Sequence, residues 1–80
     1  MGAFNSVDFN TLANTGVYRV TGTCEHAPVE GASVYGICFV LVASNYTIQL
    51  HFSGIANADN NHRCSWRGCV SETWSAWQQL

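Results

Sequence analysis

Two neighbouring segments, residues 34–44 and 47–53, constrain the fold most because both have the pattern of β-strands. Segment 34–44 (VYGICFVLVAS) is a continuous apolar run, rich in β-branched residues and short for a helix. Segment 47–53 (TIQLHFS) alternates between apolar and polar residues with the two-residue period of a strand. Asn45 and Tyr46 between them indicate a turn. The two segments therefore predict adjacent strands of an antiparallel sheet.

The same patterns predict which faces of these strands are buried. Because it is apolar throughout, segment 34–44 is expected to lie at the centre of the sheet with both faces buried. The apolar residues of the second strand are expected to face the core: Ile48, Leu50 and Phe52. Its polar residues are expected to face solvent: Thr47, Gln49, His51 and Ser53. One face of this strand is thus predicted to be core and the other wet.

Two further alternating segments, residues 16–22 and 62–70, extend the pattern to a meander of about four antiparallel strands. Ahead of the first of these strands, Asp8 can cap a short helical turn, with Phe9 and Leu12 pointing inward. The predicted fold class is therefore mainly β, with a short N-terminal helical turn, and α+β is the alternative.

Residues rich in turn formers separate these elements. Gly16 is expected to end the helical turn, and residues 23–33 and 54–61 (GIANADNN) are predicted loops. No repeat or internal boundary is recognisable, so residues 1–80 are expected to form a single small domain. A chain of this size buries a small core, and its stability is marginal unless it is cross-linked or assembled with other copies.

The C-terminal segment 72–80 (ETWSAWQQL) contains two of the three tryptophans, three positions apart. Two indoles in a free tail would expose much apolar surface to water. The tail is therefore expected to be docked. It either closes the hydrophobic core, which is the preferred interpretation, or presents an aromatic pair to a ligand.

The chain carries few charges, and this restricts its partners. Charged residues make up 10% of the sequence, the three positive ones are all arginines, and the formal net charge is −2. Phosphate recognition needs a basic patch, so nucleic acid is not expected as a partner. No membrane-spanning run of about 20 apolar residues and no signal peptide is recognisable, so synthesis in the cytoplasm without membrane insertion is expected. A surface made polar by hydroxyl and amide groups suits a subunit of an assembly or contact with neutral sugars.

The chain has four cysteines: Cys24, Cys38, Cys64 and Cys69. Disulfides, a zinc site and free thiols are the three interpretations. Cys64 and Cys69 are predicted on opposite faces of one strand, so pairing them would need a bulge near Gly68. His26 and His62 would extend the set, but no closely spaced cysteine pair is present to begin a zinc site. Free thiols are expected, with no metal and no cofactor.

Little in the sequence indicates catalysis. The five carboxylates are scattered along the chain, whereas glycoside hydrolysis needs two that are held at a fixed separation. No glycine-rich phosphate loop and no metal motif is present. No catalytic residue is predicted, and an enzyme is not expected.

Four features, taken in order, resemble the knob domain of R-type pyocin and bacteriophage tail fibres. They are residues 8–20 (DFNTLANTGVYRV), the strand TIQLHF with Gln49, the aromatic–arginine step Trp66–Arg67, and the closing WSAWQQL. In that family an Asp-hydrophobic-Asn-x-Leu opening leads to Gly-hydrophobic-Tyr, and a Gln-containing strand, a Tyr-Arg strand and a Trp-x-x-Trp ending follow. The similarity extends from about residue 5 to residue 80, with Trp66 in place of the family's tyrosine.

The resemblance implies a structural role for the residues that match the family motif: Asp8, Asn10, Leu12, Gly16, Tyr18, Gln49, Arg67, Trp74 and Trp77. It also implies a non-enzymatic knob module of a virion tail fibre. Such a module contributes to attachment to a bacterial surface receptor, expected to be a glycan, and is expected to form a homotrimer within the fibre. The alternative is a purely structural spacer or trimer-forming unit, with the receptor bound elsewhere.

Receptor contact is expected first in the loop 54–61, because amide and carboxylate groups pair well with sugar hydroxyls and loops on a rigid scaffold often carry function. The strand face beside it would extend the surface. The candidate receptor-binding residues are Asn57, Asp59, Asn60, Asn61, Gln49, His51 and Arg63. The other interpretations are that these asparagines only make turns and that the contact lies in the loop 23–33.

Overall fold

The computed structural model describes residues 2–28, 33–53 and 63–79, and of Arg63 the backbone alone. Strands dominate the described residues, as the sequence predicts. The elements are β1 (Gly2–Asn5), a 3₁₀ turn (Phe9–Thr11), β2 (Gly16–Thr23), β3 (Ser33–Ala43), β4 (Tyr46–Ser53), β5 (Arg63–Val70), β6 (Thr73–Trp74) and β7 (Gln78–Gln79). Among them is no helix long and apolar enough to cross a membrane.

All of these strands belong to one sheet. Its order is β1-β2-β3-β4-β5-β6, and β7 also pairs with β5. β2 to β5 form an antiparallel meander in chain order, which confirms the predicted mainly-β fold and its four central strands. β1 adds a parallel partner to β2, and β6 and β7 pair the C-terminal tail with β5. The sequence analysis did not predict these three short strands.

Two-residue turns fix the register at one end of the meander. β3 passes into β4 at Ser44 and Asn45, one position earlier than predicted, and Ser44 adopts a positive φ of 59°. β5 passes into β6 at Ser71 and Glu72, with φ of 49° and 70°. Positive φ at the central residues gives a turn whose twist matches that of the flanking strands. The two turns therefore fix which residues of the paired strands lie opposite each other.

The core lies on one face of the sheet, called here the covered face. The 3₁₀ turn, residues 24–28 and the C-terminal tail lie over this face. The core cluster consists of Phe9, Leu12, Val20, Cys24, Ala27, Val34, Cys38 and Val40, and Val7, Tyr18 and Trp77 pack against it. As predicted, the Asp8 carboxylate accepts the Asn10 N–H at the start of the turn, and Phe9 and Leu12 point inward. The turn ends at Leu12 rather than at Gly16, which begins β2.

The burial predicted for β3 and β4 is wrong. In β4 the polar residues are the buried ones, since Gln49 is 0% and His51 is 2% exposed, whereas Phe52 is 47% exposed. β3 is central, but it is buried on the covered face alone, and Ile37 on its other side is 44% exposed. The period of two was therefore correct, and the choice of inward face was not. The physical reason is the hydrogen bonding described below.

Candidate functional site

A polar cluster occupies the covered face beside the apolar core. The Gln49 side chain donates through Nε2 to the carbonyl oxygens of Phe9 and Leu12, at 2.7 and 2.9 Å. Its Oε1 accepts from Nε of Arg67 at 2.8 Å. Nη2 of Arg67 in turn donates to Oδ1 of Asn10 at 2.8 Å. The cluster thus ties the 3₁₀ turn to β4 and β5, and it requires a polar side chain to face inward in each strand.

The two tail tryptophans complete this cluster. The guanidinium carbon of Arg67 lies 3.9 Å from the ring centroid of Trp74 and 4.8 Å from that of Trp77. Trp77 also meets Phe9 edge-on, at 5.7 Å between ring centroids, and its Nε1 donates to the carbonyl oxygen of His26 at 3.0 Å. The tail is therefore docked, with Trp77 on the core and Trp74 on the cation.

Arg67 gives the cluster a positive charge, and no carboxylate among the described residues forms an ion pair with it. Burial lowers the pKa of Arg67 to about 10, while the negative charge of Asp8 opposes this shift. Arg67 stays protonated at neutral pH, and the acceptors of its side chain within the described residues are the neutral amide oxygens of Gln49 and Asn10. Through these hydrogen bonds Arg67 and Gln49 join the 3₁₀ turn to β4 and β5, so the cluster braces the fold.

Asp8 anchors the other end of the 3₁₀ turn. Its Oδ1 lies 2.8 Å from Nδ1 of His26 and accepts the Asn10 N–H at 2.9 Å. Burial alone would raise the pKa of Asp8, but these two hydrogen bonds and the nearby positive charges lower it below its usual value. The carboxylate is therefore engaged in holding the turn and residues 24–28 together.

A cavity of about 430 Å³ opens where the two hairpin turns meet the 3₁₀ turn. Its volume is within the range of small-molecule sites. It is lined by Asn10, Ala13, Ser44, Asn45, Thr47, Cys69, Ser71, Glu72 and Trp74. Nδ2 of Asn45 donates to Oγ of Ser71 at 3.0 Å, and the Ser71 N–H donates to the Asn45 carbonyl at 3.1 Å, so the two turns are fixed to each other. The wall of the cavity is thus a braced structure.

The face of the sheet opposite the core, called here the open face, is exposed and apolar. Of the ten large hydrophobic residues that are exposed within the described ranges, it carries eight: Tyr35, Ile37, Phe39, Leu41, Tyr46, Phe52, Trp66 and Val70. Phe39 and Phe52 meet edge-on across β3 and β4, at 5.7 Å between ring centroids. No segment among the described ranges covers these side chains. Contiguous apolar patches on soluble proteins mark interaction surfaces.

The structure separates the residues predicted to bind a receptor. Gln49 and His51 were expected on a wet face, and both are buried on the covered face, so neither is available to a receptor. Asn57, Asp59, Asn60 and Asn61 lie outside the described residues, as does the side chain of Arg63. The two buried residues are needed inside the fold, where Gln49 bridges the 3₁₀ turn to Arg67.

Five of the nine residues that match the motif of the tail-fibre knob contact one another in the structure. Asn10, Gln49, Arg67, Trp74 and Trp77 form the polar cluster with its aromatic cover. Outside the cluster, the Tyr18 hydroxyl donates to the carbonyl oxygen of Asn14 at 2.8 Å, and Gly16 begins β2.

The cavity residues in the turns were missed by the sequence analysis. The dipeptides Ser44–Asn45 and Ser71–Glu72 each separate two strand patterns, and this was the available signal.

The four cysteines are free thiols. Cys64 and Cys69 lie on opposite faces of β5, as their spacing predicts.

In a comparison with solved structures, the chain matches the structure of the P. aeruginosa R1 pyocin fibre comprising C-terminal residues of that protein, with a TM-score of 0.75 and 21% sequence identity. The match covers 99% of this chain and 21% of the fibre chain. No protein-family model and no curated protein matches the sequence. The likeness shows a shared fold, and it confirms at the level of the fold the predicted resemblance to a pyocin fibre domain.

Proposed function

We propose that this chain is a non-enzymatic module of the tail fibre of a phage or phage-like particle, and that it contributes to attachment to a bacterial surface glycan. The match of 99% of the chain to part of a pyocin fibre carries this proposal. The low charge of the sequence supports a neutral ligand, because hydroxyl and amide groups pair with sugar hydroxyls without a charge partner. The scattered carboxylates support binding without hydrolysis.

The open face supports a second role, assembly with other copies of the same chain as a homotrimer within the fibre. The open face exposes eight large apolar side chains, and a contiguous apolar patch of this kind is typical of an interface. With a net charge of −2 and no lysine, neighbouring copies repel each other weakly. The occupants proposed for the open face are therefore the open faces of the other two copies of the trimer.

Binding of the fluorescently labelled chain to whole cells tests the attachment role. We expect the chain to label strains in a bacterial panel that includes P. aeruginosa, and to lose that labelling when periodate has oxidised the surface sugars. Labelling that survives periodate would refute a glycan receptor, and labelling of no strain would refute attachment by this module and leave the spacer role. Replacement of Asn57, Asp59 and Asn60 together by alanine tests the loop predicted from the sequence, and binding that survives it excludes that loop.

Light scattering of the purified chain tests the assembly role. We expect the mass of a trimer at high protein concentration, and the mass of a monomer for Phe39→Lys, which places a charge on the open face. Thr11→Lys is the matched control, since Thr11 is exposed in the 3₁₀ turn on the opposite side of the sheet. A monomeric wild-type chain at every concentration would refute assembly through this face.

A further inference from the structure

We infer that the cavity between the two hairpin turns and the 3₁₀ turn is a subsite for a neutral saccharide ring. This inference rests on the proposed attachment function and names the part of the chain that contacts the glycan. The cavity differs from the loop that the sequence indicated, and each of its lining residues lies within the described ranges.

Trp74 supplies an aromatic surface with a fixed orientation. The guanidinium of Arg67 lies over the indole at 3.9 Å, so the part of the ring that lines the cavity is its other face or its edge. Pairing of Trp74 with Cys69 in the sheet fixes the backbone as well. An immobilised indole loses little conformational entropy when an apolar sugar face packs against it.

Polar groups around the indole are free to bind hydroxyls. Oδ1 of Asn10 accepts from Arg67, and Nδ2 of Asn45 donates to Ser71, and these bonds fix the two amides. Nδ2 of Asn10, Oδ1 of Asn45 and the Thr47 hydroxyl make no hydrogen bond within the described part of the chain. Fixed donors and acceptors beside an apolar surface are the usual composition of a small-molecule site.

The charge of the lining favours a neutral ligand. Glu72 is the single charged residue among those that line the cavity, and it is exposed. A carboxylate accepts hydrogen bonds from sugar hydroxyls but repels acidic sugars and phosphates. Arg67 contacts the lining residues Trp74 and Asn10, but its charge is covered by the Trp74 ring and engaged with Gln49 and Asn10. Neutral hexoses and N-acetylhexosamines fit this lining better than uronic or sialic acids.

The position of the cavity allows both proposed roles at once. Thr47 and Cys69 pair across β4 and β5 and share the covered face with Gln49 and Arg67. The cavity therefore opens on the side of the sheet away from the open face. Copies that meet through their open faces would leave it accessible.

Heteronuclear NMR of the 80-residue chain, titrated with methyl glycosides of glucose, galactose, mannose, rhamnose and N-acetylglucosamine, tests the subsite. We expect at least one glycoside to shift the indole N–H signal of Trp74 together with the amide signals of Asn45 and Ser71. Methyl glucuronide, the acidic probe, is expected to leave them unshifted. If none of the neutral glycosides shifts these signals, the inference is wrong.

Two matched pairs of variants make the test specific. Ala13→Trp fills the cavity from an exposed position and is expected to abolish the shifts, whereas Ala13→Ser keeps the space and the binding. Thr47→Val removes a hydroxyl without changing the side-chain shape and is expected to weaken binding roughly tenfold, whereas Thr23→Val at an exposed position outside the cavity is not. Glycoside shifts that survive both Ala13→Trp and Thr47→Val would overturn the inference.

Cell labelling separates this inference from the proposed function. If the wild-type chain labels bacteria and Ala13→Trp labels them equally well, attachment stands and the subsite is refuted. If Ala13→Trp loses both the glycoside shifts and the labelling, with an unchanged denaturation midpoint, the cavity is the subsite through which the module attaches. If the wild-type chain binds glycosides in the cavity and labels no bacterium, the subsite stands and the attachment function is refuted.

Discussion

Nε of Arg67 donates to Oε1 of Gln49 at 2.8 Å, between two residues that face each other across β4 and β5 on the covered face of the sheet. This bond explains why two polar residues occupy positions that an apolar pair could fill. The 3₁₀ turn presents the carbonyl oxygens of Phe9 and Leu12 to the sheet, and buried carbonyls need donors. Gln49 supplies both donors, and Arg67 satisfies the oxygen that remains.

Gln49→Leu should destabilise the fold strongly. The substitution removes three buried hydrogen bonds and leaves the Leu12 carbonyl oxygen and a guanidinium N–H without partners, while the Phe9 carbonyl keeps only the Leu12 N–H, so we expect a loss of about 3–5 kcal/mol in the free energy of unfolding. Urea denaturation followed by tryptophan fluorescence measures the change. Gln79→Leu, at an exposed position of β7, is the control and should change the unfolding free energy little. Equal midpoints for the two variants would show that the cluster does not stabilise the fold.

Arg67→Lys should also be costly although the charge is kept. A lysine cannot donate to Gln49 and Asn10 from a planar fork while lying between two indoles, so we expect a loss of about 2–3 kcal/mol. Arg19→Lys on the exposed side of β2 is the matched control and should be near neutral. Thermal unfolding of both variants at one pH gives the comparison. A midpoint of Arg67→Lys within error of the wild type would contradict the role assigned to the guanidinium.

The sequence predicted the strands well because their period is a local property. Alternation located β2, β4 and β5, and the continuous apolar run located β3 as the central strand. The same patterns could not give the inward face of β4, since this depends on the hydrogen bonds of Gln49 with the 3₁₀ turn, which lies 37 to 40 residues away in sequence.

Sequence patterns place the apolar residues of a half-buried strand in the core. In β4 this rule fails, because its apolar residues lie on the open face and its buried residues are polar. Phe52 is exposed on the open face, and no described segment of the chain covers it. The cavity could not be predicted because it is formed by two turns and a helical turn that meet only in the fold. The family resemblance did identify Gln49 and Arg67 as motif residues, although it gave no contact between them.

Trp77→Ala should cost more than Trp66→Ala. Trp77 packs on the core, meets Phe9 edge-on and donates to the carbonyl oxygen of His26, so its removal should cost about 2–4 kcal/mol. Trp66 is exposed on the open face, and in the monomer its removal should cost less than about 1 kcal/mol. Denaturant unfolding at low protein concentration separates the two effects. An unchanged midpoint for Trp77→Ala would refute the core role of the tail and favour a ligand-binding role for both tail tryptophans.

His51 should make the fold sensitive to mild acid. Its ring is buried between Cys38 and Ser65 in the sheet and lies edge-on to Phe9, at 5.7 Å between ring centroids. Nε2 has no hydrogen-bond partner within the described ranges. Burial in this setting lowers the pKa of His51 from 6.5 to about 4, because the charged ring has no compensating contact.

The sign of the pH dependence follows from this shift. Below pH 6.5 the unfolded chain binds a proton at His51 that the folded chain does not, so the free energy of unfolding should fall as the pH is lowered from 6.5 to about 4. The gap between the two pKa values corresponds to a loss of about 3 kcal/mol. Chemical denaturation across this range should show the slope in the wild type and a much weaker one in His51→Leu, which cannot titrate. An NMR titration that finds His51 of the folded chain titrating near 6.5 would contradict both the buried neutral ring and the slope.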